Sequence, residues 1–221
     1  MSSLNEQEKN LILAWADDFS IELSATQADQ LAIYLNELWE WNKKFNLTGL
    51  NSREKIVTEL LLDSILPSPL LPERGDLLDV GSGAGFPSIP LKICRPRLKT
   101  HLLEPNSKRV SFLKHVIRLA GLKDIRVIRG RIGKDTSLLL KEGYHAVTAR
   151  ALADLPRTLT WCAPLIRPGG LFISFQGGAF QDSIKKSSLI LNENSLCLYK
   201  TIPYLLPGKT SKRHLLLFMK Q

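Results

Sequence analysis

The sequence predicts an α/β fold with a mostly parallel sheet behind an N-terminal helical layer. Three observations support this prediction. From residue 77 onward, short apolar runs alternate with helical periodicities, the pattern of right-handed βαβ crossovers. The first run leads into a glycine-rich turn at residues 79–87. The last two runs have no helix between them, so we expect a hairpin with one antiparallel strand at or near the sheet edge.

The first third of the chain is predicted to be helical. Apolar residues over 4–20 recur at spacings of three, four and seven, which indicates an amphipathic helix. Ser24 and Gln27 have the spacing of a capping box and are expected to open a second helix. Residues 46–49 end that helix, and Ser52 is expected to cap a third helix over residues 53–62.

Three prolines between residues 67 and 72 forbid continuation of the third helix. They mark the predicted boundary between an N-terminal helical segment, 1–70, packed on the main domain, and that domain itself, 71–221. Seven strands are predicted in the main domain, at residues 77–80, 99–103, 125–128, 145–148, 171–175, 196–202 and 214–219.

The helices predicted between these strands occupy residues 88–94, 107–120, 137–141, 155–163 and 180–190. Ser107 is expected to cap the second of them, and Gly121 to end it in a left-handed conformation. The turn Pro168-Gly169-Gly170 is expected to lead into the fifth strand.

The bulk composition is that of an ordinary globular protein. No apolar run approaches the roughly 18 to 20 residues that span a bilayer, and the polar N-terminus lacks the features of a signal peptide. The three cysteines show no C-x-x-C spacing, which favours reduced thiols. We therefore expect a cytoplasmic protein without membrane association. The four histidines form no ligand pattern, so no metal is predicted.

The net charge of +9 is unevenly distributed along the chain. Residues 1–64 hold five basic and eleven acidic residues, a net charge of −6, whereas residues 65–221 hold twenty-five basic and ten acidic residues, a net charge of +15. The large positive charge of residues 65–221 indicates a polyanionic partner, most simply a nucleic acid. General solubility is the alternative reading.

The glycine turn carries the main chemical signal. Its pattern D-x-G-x-G-x-G places Asp79, Gly81, Gly83 and Gly85 after a buried strand, where glycine lets the backbone approach a ligand closely. A dinucleotide fingerprint would need glycine at position 86, where this chain has Phe86. The pattern instead resembles the first motif of Rossmann-like S-adenosylmethionine-dependent methyltransferases, whose sheet has seven strands and a terminal antiparallel hairpin. A glycine turn without a ligand is the alternative.

Two further features fit a nucleoside cofactor. Glu104 follows Gly81 by 23 residues and ends the second predicted strand, where a carboxylate can accept two hydrogen bonds from a ribose diol. It could also be simply an acidic residue near the start of the next helix. The loop 130–133 after the third strand is placed to cover the adenine.

More specific pieces narrow the resemblance to one family. Residues from about 40 to 176 resemble the bacterial 16S ribosomal RNA guanine-N7 methyltransferases, also called glucose-inhibited division protein B. The matching pieces are Asn46-Leu47-Thr48, Leu62-Asp63-Ser64, the glycine turn extended through Phe86-Pro87 and Ile89-Pro90-Leu91, Lys108-Arg109, Phe112-Leu113 and Thr148-Ala149-Arg150-Ala151.

This resemblance implies methylation of 16S rRNA in the small ribosomal subunit by a monomeric enzyme that uses S-adenosyl-L-methionine. By position, the family's cofactor contacts fall on Gly81, Phe86, Ile132, Gly133 and Arg150. Four departures from the family pattern are Leu60 for a histidine, Ser88 for a glycine, Gly133 for an acidic residue and Gln176 for a lysine.

N7 of guanine already has an in-plane lone pair, so its methylation requires no catalytic base. The expected catalytic residue is Arg150, a cation that contacts the cofactor carboxylate or an RNA phosphate, with a structural ion pair as the alternative. The predicted RNA-binding residues are Asn46, Thr48, Arg95, Lys108, Arg109, Lys209, Lys212 and Arg213. The cluster Lys123, Arg126, Arg129 and Arg131 is also expected to follow the RNA backbone.

Two rival functions remain open at this point. The four departures are compatible with a protein that binds the cofactor and RNA but acts in ribosome assembly without catalysis. A methyltransferase for a small molecule or a protein is the weaker rival.

Overall fold

The computed structural model describes residues 4–135 and 139–221. Its centre is a seven-stranded sheet in the order β3-β2-β1-β4-β5-β7-β6. The strands are β1 (Gly75–Val80), β2 (Leu98–Glu104), β3 (Ile125–Arg129), β4 (Tyr144–Ala149), β5 (Ile166–Gln176), β6 (Leu196–Tyr204) and β7 (Arg213–Lys220). Pairs among β1 to β5 are parallel, and β7 is antiparallel to both β5 and β6. The predicted fold class is therefore confirmed, including the terminal hairpin.

Helices flank the sheet and precede it. They are α1 (Glu6–Asp18), α2 (Ala25–Phe45), α3 (Arg53–Lys55), α4 (Leu62–Ile65), α5 (Ser88–Cys94), α6 (Ser107–Leu119), α7 (Leu155–Cys162), α8 (Gln181–Lys186) and α9 (Ser188–Glu193). The predicted capping box of α2 is present, because the Ser24 hydroxyl accepts from the Gln27 amide and the Gln27 side chain accepts from the Ser24 amide. Within the described residues, no helix is both long and apolar enough to cross a membrane.

The third predicted helix is not a continuous α-helix. Ser52 caps α3 as expected, but a π-helix (Ile56–Leu61) separates α3 from α4. A π-turn leaves carbonyl groups displaced from the usual helical hydrogen-bond pattern and is often found at functional sites. The spacing of apolar residues could not predict this π-helix, because two of its carbonyl groups accept from Arg150, about 90 residues further along the chain.

The cap of α6 was assigned to the wrong residue. The Asn106 side chain accepts hydrogen bonds from the amides of Lys108 and Arg109, so Asn106 is the cap and Ser107 is the first helical residue. The predicted end is confirmed. Gly121 has a φ of +63°, its amide donates to Arg118 O, and the next amide donates to Ile117 O, which is a Schellman motif.

Two further boundaries differ from the prediction. Of the helix expected at 137–141, residues 137 and 138 lie outside the described residues, and residues 139–141 form no helix. Strand β5 begins earlier than expected, at Ile166, so the turn predicted at 168–170 lies within it. The pairing register with β4 shifts between Tyr144 and Ala146, which accommodates the irregularity.

The core lies in two layers, one on each face of the sheet. Alternate side chains of a strand point to opposite faces, so Leu77 belongs to one layer and Leu78 to the other. The Leu77 layer also contains buried side chains of α2 and the π-helix, including Leu35 and Leu61. The Leu78 layer contains α7 side chains such as Leu159. The helical segment therefore shares a core with the sheet face that it covers.

Candidate active site

The glycine turn follows β1 directly and has a backbone that requires glycine. Gly81, Gly83 and Gly85 have φ values of +76°, +58° and +100°, which L side chains rarely adopt. A Cβ on Gly81 would lie 2.8 Å from Cδ1 of Leu152, and one on Gly85 would lie 2.5 Å from Cγ1 of Ile89. Space and dihedral angle thus both select glycine at these two positions.

Asp79 lies behind this turn and has no exposed surface. Thr148 Oγ1 on β4 donates to Asp79 Oδ1 at 2.9 Å. Burial raises the pKa of the Asp79 carboxyl to about 6, an effect partly offset by neighbouring hydroxyl groups. Because the carboxyl is enclosed, Asp79 joins β1 to β4 beneath the turn. The direct contact of its side chain with a cofactor stays a prediction.

Glu104 connects the glycine turn to the start of α6. Its Oε2 accepts from the Gly83 amide at 2.8 Å, and its Oε1 accepts from the Asn106 amide at 2.9 Å. Each carboxylate oxygen can accept more than one hydrogen bond, so two amide contacts leave acceptor capacity for a ligand. The structure thus brings together the turn and the acid that the sequence placed 23 residues apart.

A cavity of about 460 Å³ opens at the carboxyl ends of β1 to β4, which we call the glycine-turn cavity. It is lined by Gly81, Leu103, Pro105, Gly130, Arg131, Ile132, Gly133, Lys134, Leu152, Arg157 and Trp161. The predicted residues Gly81, Ile132 and Gly133 all belong to this lining.

Sequence analysis missed Leu152, Arg157 and Trp161 in the lining of the glycine-turn cavity. The guanidinium carbon of Arg157 lies 4.9 Å from the centre of the Trp161 ring, a cation–π contact. The spacing of four residues within the predicted helix 155–163 places these two side chains on one helical face. This four-residue spacing is the sequence feature from which the pair could have been predicted.

Phe86 is 8 % exposed and belongs to the core. Its ring packs edge-on against Tyr34 of α2, with 5.3 Å between ring centres. The Tyr34 hydroxyl donates to the carbonyl of Ala84 at 2.9 Å. Helix α2 therefore supports the glycine turn from below, and the Phe86 ring provides part of that support.

A second depression of about 340 Å³ lies beside the carboxyl ends of β4 and β5, and we call it the Arg150 cleft. It is lined by Asp63, Arg150, Ala151, Phe175, Gln176, Gly177, Tyr204 and Arg213. Ala151 lines this cleft, whereas the next residue, Leu152, lines the glycine-turn cavity. Ala151 has a φ of +51°, a strained conformation for a residue with a side chain. Consecutive residues thus line the two spaces, and the first of them is strained.

Arg150 is largely committed to protein partners. Its Nη2 donates to the carbonyl of Glu59 at 2.7 Å and lies 3.0 Å from Oδ2 of Asp63, and its Nη1 donates to the carbonyl of Leu60 at 3.4 Å. Glu59 and Leu60 belong to the π-helix, so Arg150 binds its displaced carbonyls. The structural ion pair weighed as an alternative exists, and the catalytic role of Arg150 stays a prediction.

Asp63 is fully buried at the floor of the Arg150 cleft. Besides Arg150, it contacts the Tyr204 hydroxyl, which donates to Oδ1, and Nη1 of Arg213, which lies 3.3 Å from Oδ1. Burial, and then the adjacent carboxylate, raise the pKa of Tyr204 well above its usual value. Sequence analysis gave Asp63 no role. The available sequence feature was an acidic residue inside the apolar run 60–66. Such a residue is expected to be buried, and a buried carboxylate requires charged or hydrogen-bonding partners.

Comparison with known proteins decides the family. A family model described as rRNA small subunit methyltransferase G matches residues 27–215. The chain belongs to that family. Relatives named ribosomal RNA small subunit methyltransferase G include one from Acetivibrio thermocellus, 35% identical over 96% of this chain and 88% of its own length. Another, from Bacillus mycoides, is 35% identical over 93% of this chain and 87% of its own length.

Solved structures share the fold at low sequence identity. M. jannaschii TYW2 in complex with AdoMet matches 72% of this chain and 75% of its own, with a TM-score of 0.59 and 14% identity. Precorrin-6y C5,15-methyltransferase from Geobacter metallireducens matches 77% of this chain and 90% of its own, with a TM-score of 0.52 and 12% identity. The predicted family, enzyme class and S-adenosylmethionine-dependent methyltransferase fold are confirmed.

In this member of the methyltransferase G family, the predicted RNA-binding residues do not form one surface. Arg213 lines the Arg150 cleft, and Lys212 beside it is exposed. Lys209 pairs with Glu59 at 2.8 Å and lowers the pKa of that carboxyl. Arg95 lies between α5 and β2, at the amino-terminal end of the parallel strands, and donates to the carbonyl of Ser68. The helix after β1 runs back along the sheet, so Arg95 is not brought to the site.

The remaining predicted RNA-binding residues lie around α2 and α6. The amide and hydroxyl of Thr48 both donate to Oδ1 of Asn42, and the Asn46 side chain accepts from the Gly49 amide. Asn46 and Thr48 therefore shape the turn after α2. Lys108 lies over the Phe45 ring at 5.7 Å, and Arg109 is half-buried in the first turn of α6.

The four departures from the family pattern have different surroundings. Leu60 belongs to the π-helix and packs against the core, and its carbonyl accepts from Arg150. Ser88 is fully buried where α5 begins. Gln176 lines the Arg150 cleft and donates to Ser174 Oγ at 2.8 Å. Gly133 has a φ of +82°, and a Cβ there would meet Trp161 at an ordinary contact distance.

Proposed function

We propose that this protein transfers a methyl group from S-adenosylmethionine to N7 of a guanine in the 16S rRNA of the small ribosomal subunit. One observation carries the proposal: in a chain of the methyltransferase G family, consecutive residues line a ligand-sized cavity at the glycine turn and a positively charged cleft. A cofactor and an acceptor can therefore lie side by side, as group transfer requires.

The residues of the glycine-turn cavity fit the cofactor. The positive φ values at Gly81 and Gly83 expose backbone close to a ligand, and a side chain at Gly81 would collide with Leu152. The Glu104 carboxylate retains acceptor capacity for a ribose diol. Ile132, Gly133 and Trp161 provide a largely apolar wall for adenine. When bound, S-adenosylmethionine supplies an activated methyl group on a sulfonium.

The acceptor chemistry needs positioning more than proton transfer. The N7 lone pair forms the new N–C bond, the S–C electrons remain on sulfur as a neutral thioether, and the positive charge passes to the purine. No proton leaves N7, so Leu60 in place of a titratable side chain removes no obligatory base. The protein must hold the reacting atoms at roughly 3 Å in line and exclude water.

The partner and setting follow from this substrate. We propose a monomer that acts in the cytoplasm, where small subunits are made, with its basic body against the negatively charged RNA. We also propose that residues 1–70 act as a supporting layer, since α2 contacts the glycine turn and the π-helix contacts Arg150.

The deciding experiment incubates the purified protein with unmodified small subunits and labelled S-adenosylmethionine. Label is expected in 16S rRNA at one guanine, where chemical cleavage specific for 7-methylguanosine breaks the chain. Label at another atom or base would contradict N7 as the target. Cofactor binding without label in any ribosomal substrate would contradict the enzyme assignment.

A further inference from the structure

We propose that the Arg150 cleft binds the guanine nucleotide that receives the methyl group. In this arrangement Arg213 contacts a phosphate of that nucleotide, Phe175 stacks on its base, and Gln176 reads its edge. The inference rests on the proposed function, and it assigns the acceptor to particular residues of one cleft.

The Arg150 cleft and the glycine-turn cavity both lie at the carboxyl ends of the parallel strands, and consecutive residues line them, Arg150 and Ala151 the cleft and Leu152 the cavity. A ligand in the cleft is thus next to a ligand in the cavity. The left-handed backbone at Ala151 is strained, and such strain persists where the surrounding structure imposes it.

Two guanidinium groups, of Arg150 and Arg213, share the single carboxylate of Asp63, which leaves one positive charge in excess. Arg150 is 14% exposed and faces the π-helix carbonyls, whereas Arg213 is 31% exposed with Lys212 exposed beside it. Arg213 is therefore the guanidinium available to a ligand. A phosphodiester, with one negative charge, matches this excess.

Two side chains at the end of β5, Phe175 and Gln176, also line the cleft. Phe175 is half-buried, with the guanidinium carbon of Arg150 at 5.9 Å from its ring centre. An aromatic ring that lines a cationic cleft suits base stacking. The Gln176 amide nitrogen donates to Ser174, which orients the group. Its carbonyl oxygen can accept from N1–H of guanine, whereas adenine presents an acceptor at N1 and can donate only from its 6-amino group.

The test measures binding and needs no methyl transfer. The protein is saturated with S-adenosylhomocysteine and titrated calorimetrically with guanosine 5′-monophosphate, guanosine and adenosine 5′-monophosphate. The guanine nucleotide is expected to bind most tightly. Loss of the phosphate, or replacement of Arg213 by Gln, is expected to weaken binding roughly tenfold, the usual effect of losing one charge-assisted hydrogen bond. Arg167→Gln, at the opposite end of β5, is the matched control and should change nothing.

Two further variants separate ligand binding from folding. Arg213→Lys keeps the charge next to Asp63 and should restore most of the affinity lost in Arg213→Gln. Phe175→Leu keeps the charges of Asp63, Arg150 and Arg213 and removes the ring with its contact to Arg150. It should weaken the binding of guanosine and of its monophosphate equally. Unfolding midpoints and the affinity for S-adenosylhomocysteine are recorded for every variant. The assignment is overturned if binding is absent at millimolar nucleotide, or is indifferent to both Arg213→Gln and Phe175→Leu.

The outcomes distinguish this inference from the proposed function. Competition between the nucleotide and S-adenosylhomocysteine would overturn the inference, because the cleft would then hold part of the cofactor. Methylation of rRNA with an unchanged KM in Phe175→Leu would overturn it as well and leave the proposed function intact. Specific nucleotide binding without any methylation of rRNA would support nucleotide binding in the Arg150 cleft and contradict the proposed function.

Discussion

Nη2 of Arg150 lies 3.0 Å from Oδ2 of Asp63, a carboxylate with no exposed surface. The same carboxylate contacts Tyr204 at the end of β6 and Arg213 at the start of β7. One buried acid therefore joins the helical layer, the β4 loop and the terminal hairpin. The shape of the Arg150 cleft depends on this junction.

Replacing Asp63 by Asn should destabilise the protein strongly. The substitution removes the negative charge and leaves two guanidinium groups without it, and breaking a buried ion pair usually costs about 3–5 kcal/mol. Denaturant unfolding measures this change in the free energy of unfolding. Asp182→Asn breaks an exposed pair with Lys185 and should stay near the wild-type value. A loss below 1 kcal/mol for Asp63→Asn would contradict the role of the junction.

Glu104→Gln should weaken cofactor binding by roughly ten- to a hundredfold. In the wild type, two amides donate to two different carboxylate oxygens. Glutamine has only one oxygen, so its NH2 group cannot accept from a ribose hydroxyl, and the loss of one hydrogen bond to a charged group costs about 1.5–3 kcal/mol of binding free energy. Calorimetry with S-adenosylhomocysteine gives the affinity. Glu193→Gln, on the exposed end of α9, is the control. Equal affinities for both variants would exclude Glu104 from the cofactor site.

The raised pKa of Asp79 predicts that the stability of the folded protein depends on pH. Its folded-state pKa is about 6 against an ordinary value of 3.8, so the folded protein favours the neutral acid. The resulting stabilisation is complete below about pH 4 and is lost as the pH rises through 6. Asp79→Asn stays neutral and can still accept from Thr148. The wild type should therefore lose roughly 2 to 2.5 kcal/mol relative to Asp79→Asn between pH 4 and 7.

Urea unfolding of both proteins across this pH range tests the prediction. Each pH value gives one difference in the free energy of unfolding, and groups that titrate equally in the two proteins cancel. A difference that stays constant from pH 4 to 7 would show that the Asp79 pKa is not raised.

The outer edge of β3 is expected to contact the RNA backbone. Arg126, Arg129, Arg131 and Lys134 are exposed, and within the described parts of the chain none of them has an ion-pair partner. Arg131 and Lys134 also line the glycine-turn cavity. Replacing Arg126, Arg129 and Lys134 by Gln should reduce the salt dependence of RNA binding, by about 0.7–0.9 in the log–log slope for each lost phosphate contact.

Filter binding of a 16S rRNA fragment at several salt concentrations measures this slope. The control replaces Arg95 and Arg97, which lie before β2 at the amino-terminal end of the parallel strands and contact the Ser68 carbonyl and Glu73. The control removes two charges and the test variant three, so the changes in slope are compared per charge removed. Equal changes per charge would indicate nonspecific attraction by total charge.

The sheet could be predicted because its signals are local. An apolar run, a glycine turn and an apolar helix face each lie within a few residues, and βαβ handedness then restricts the topology. The position of Glu104 was predictable for the same reason, since it ends a strand. The cap at Asn106 was missed because Asn106 and Ser107 are both good caps and only backbone geometry separates them.

The sequence by itself determined the fold class, the glycine turn with its acid at Glu104, and the family. These follow from short patterns whose spacing is set by backbone geometry. Only the tertiary structure decided that Asp79 is enclosed, that Arg150 binds the π-helix, and that Asp63 joins Arg150, Tyr204 and Arg213. Residues 63 and 204 are 141 positions apart. A contact over that distance depends on how the helical layer and the hairpin pack against one sheet, and no local pattern records that packing.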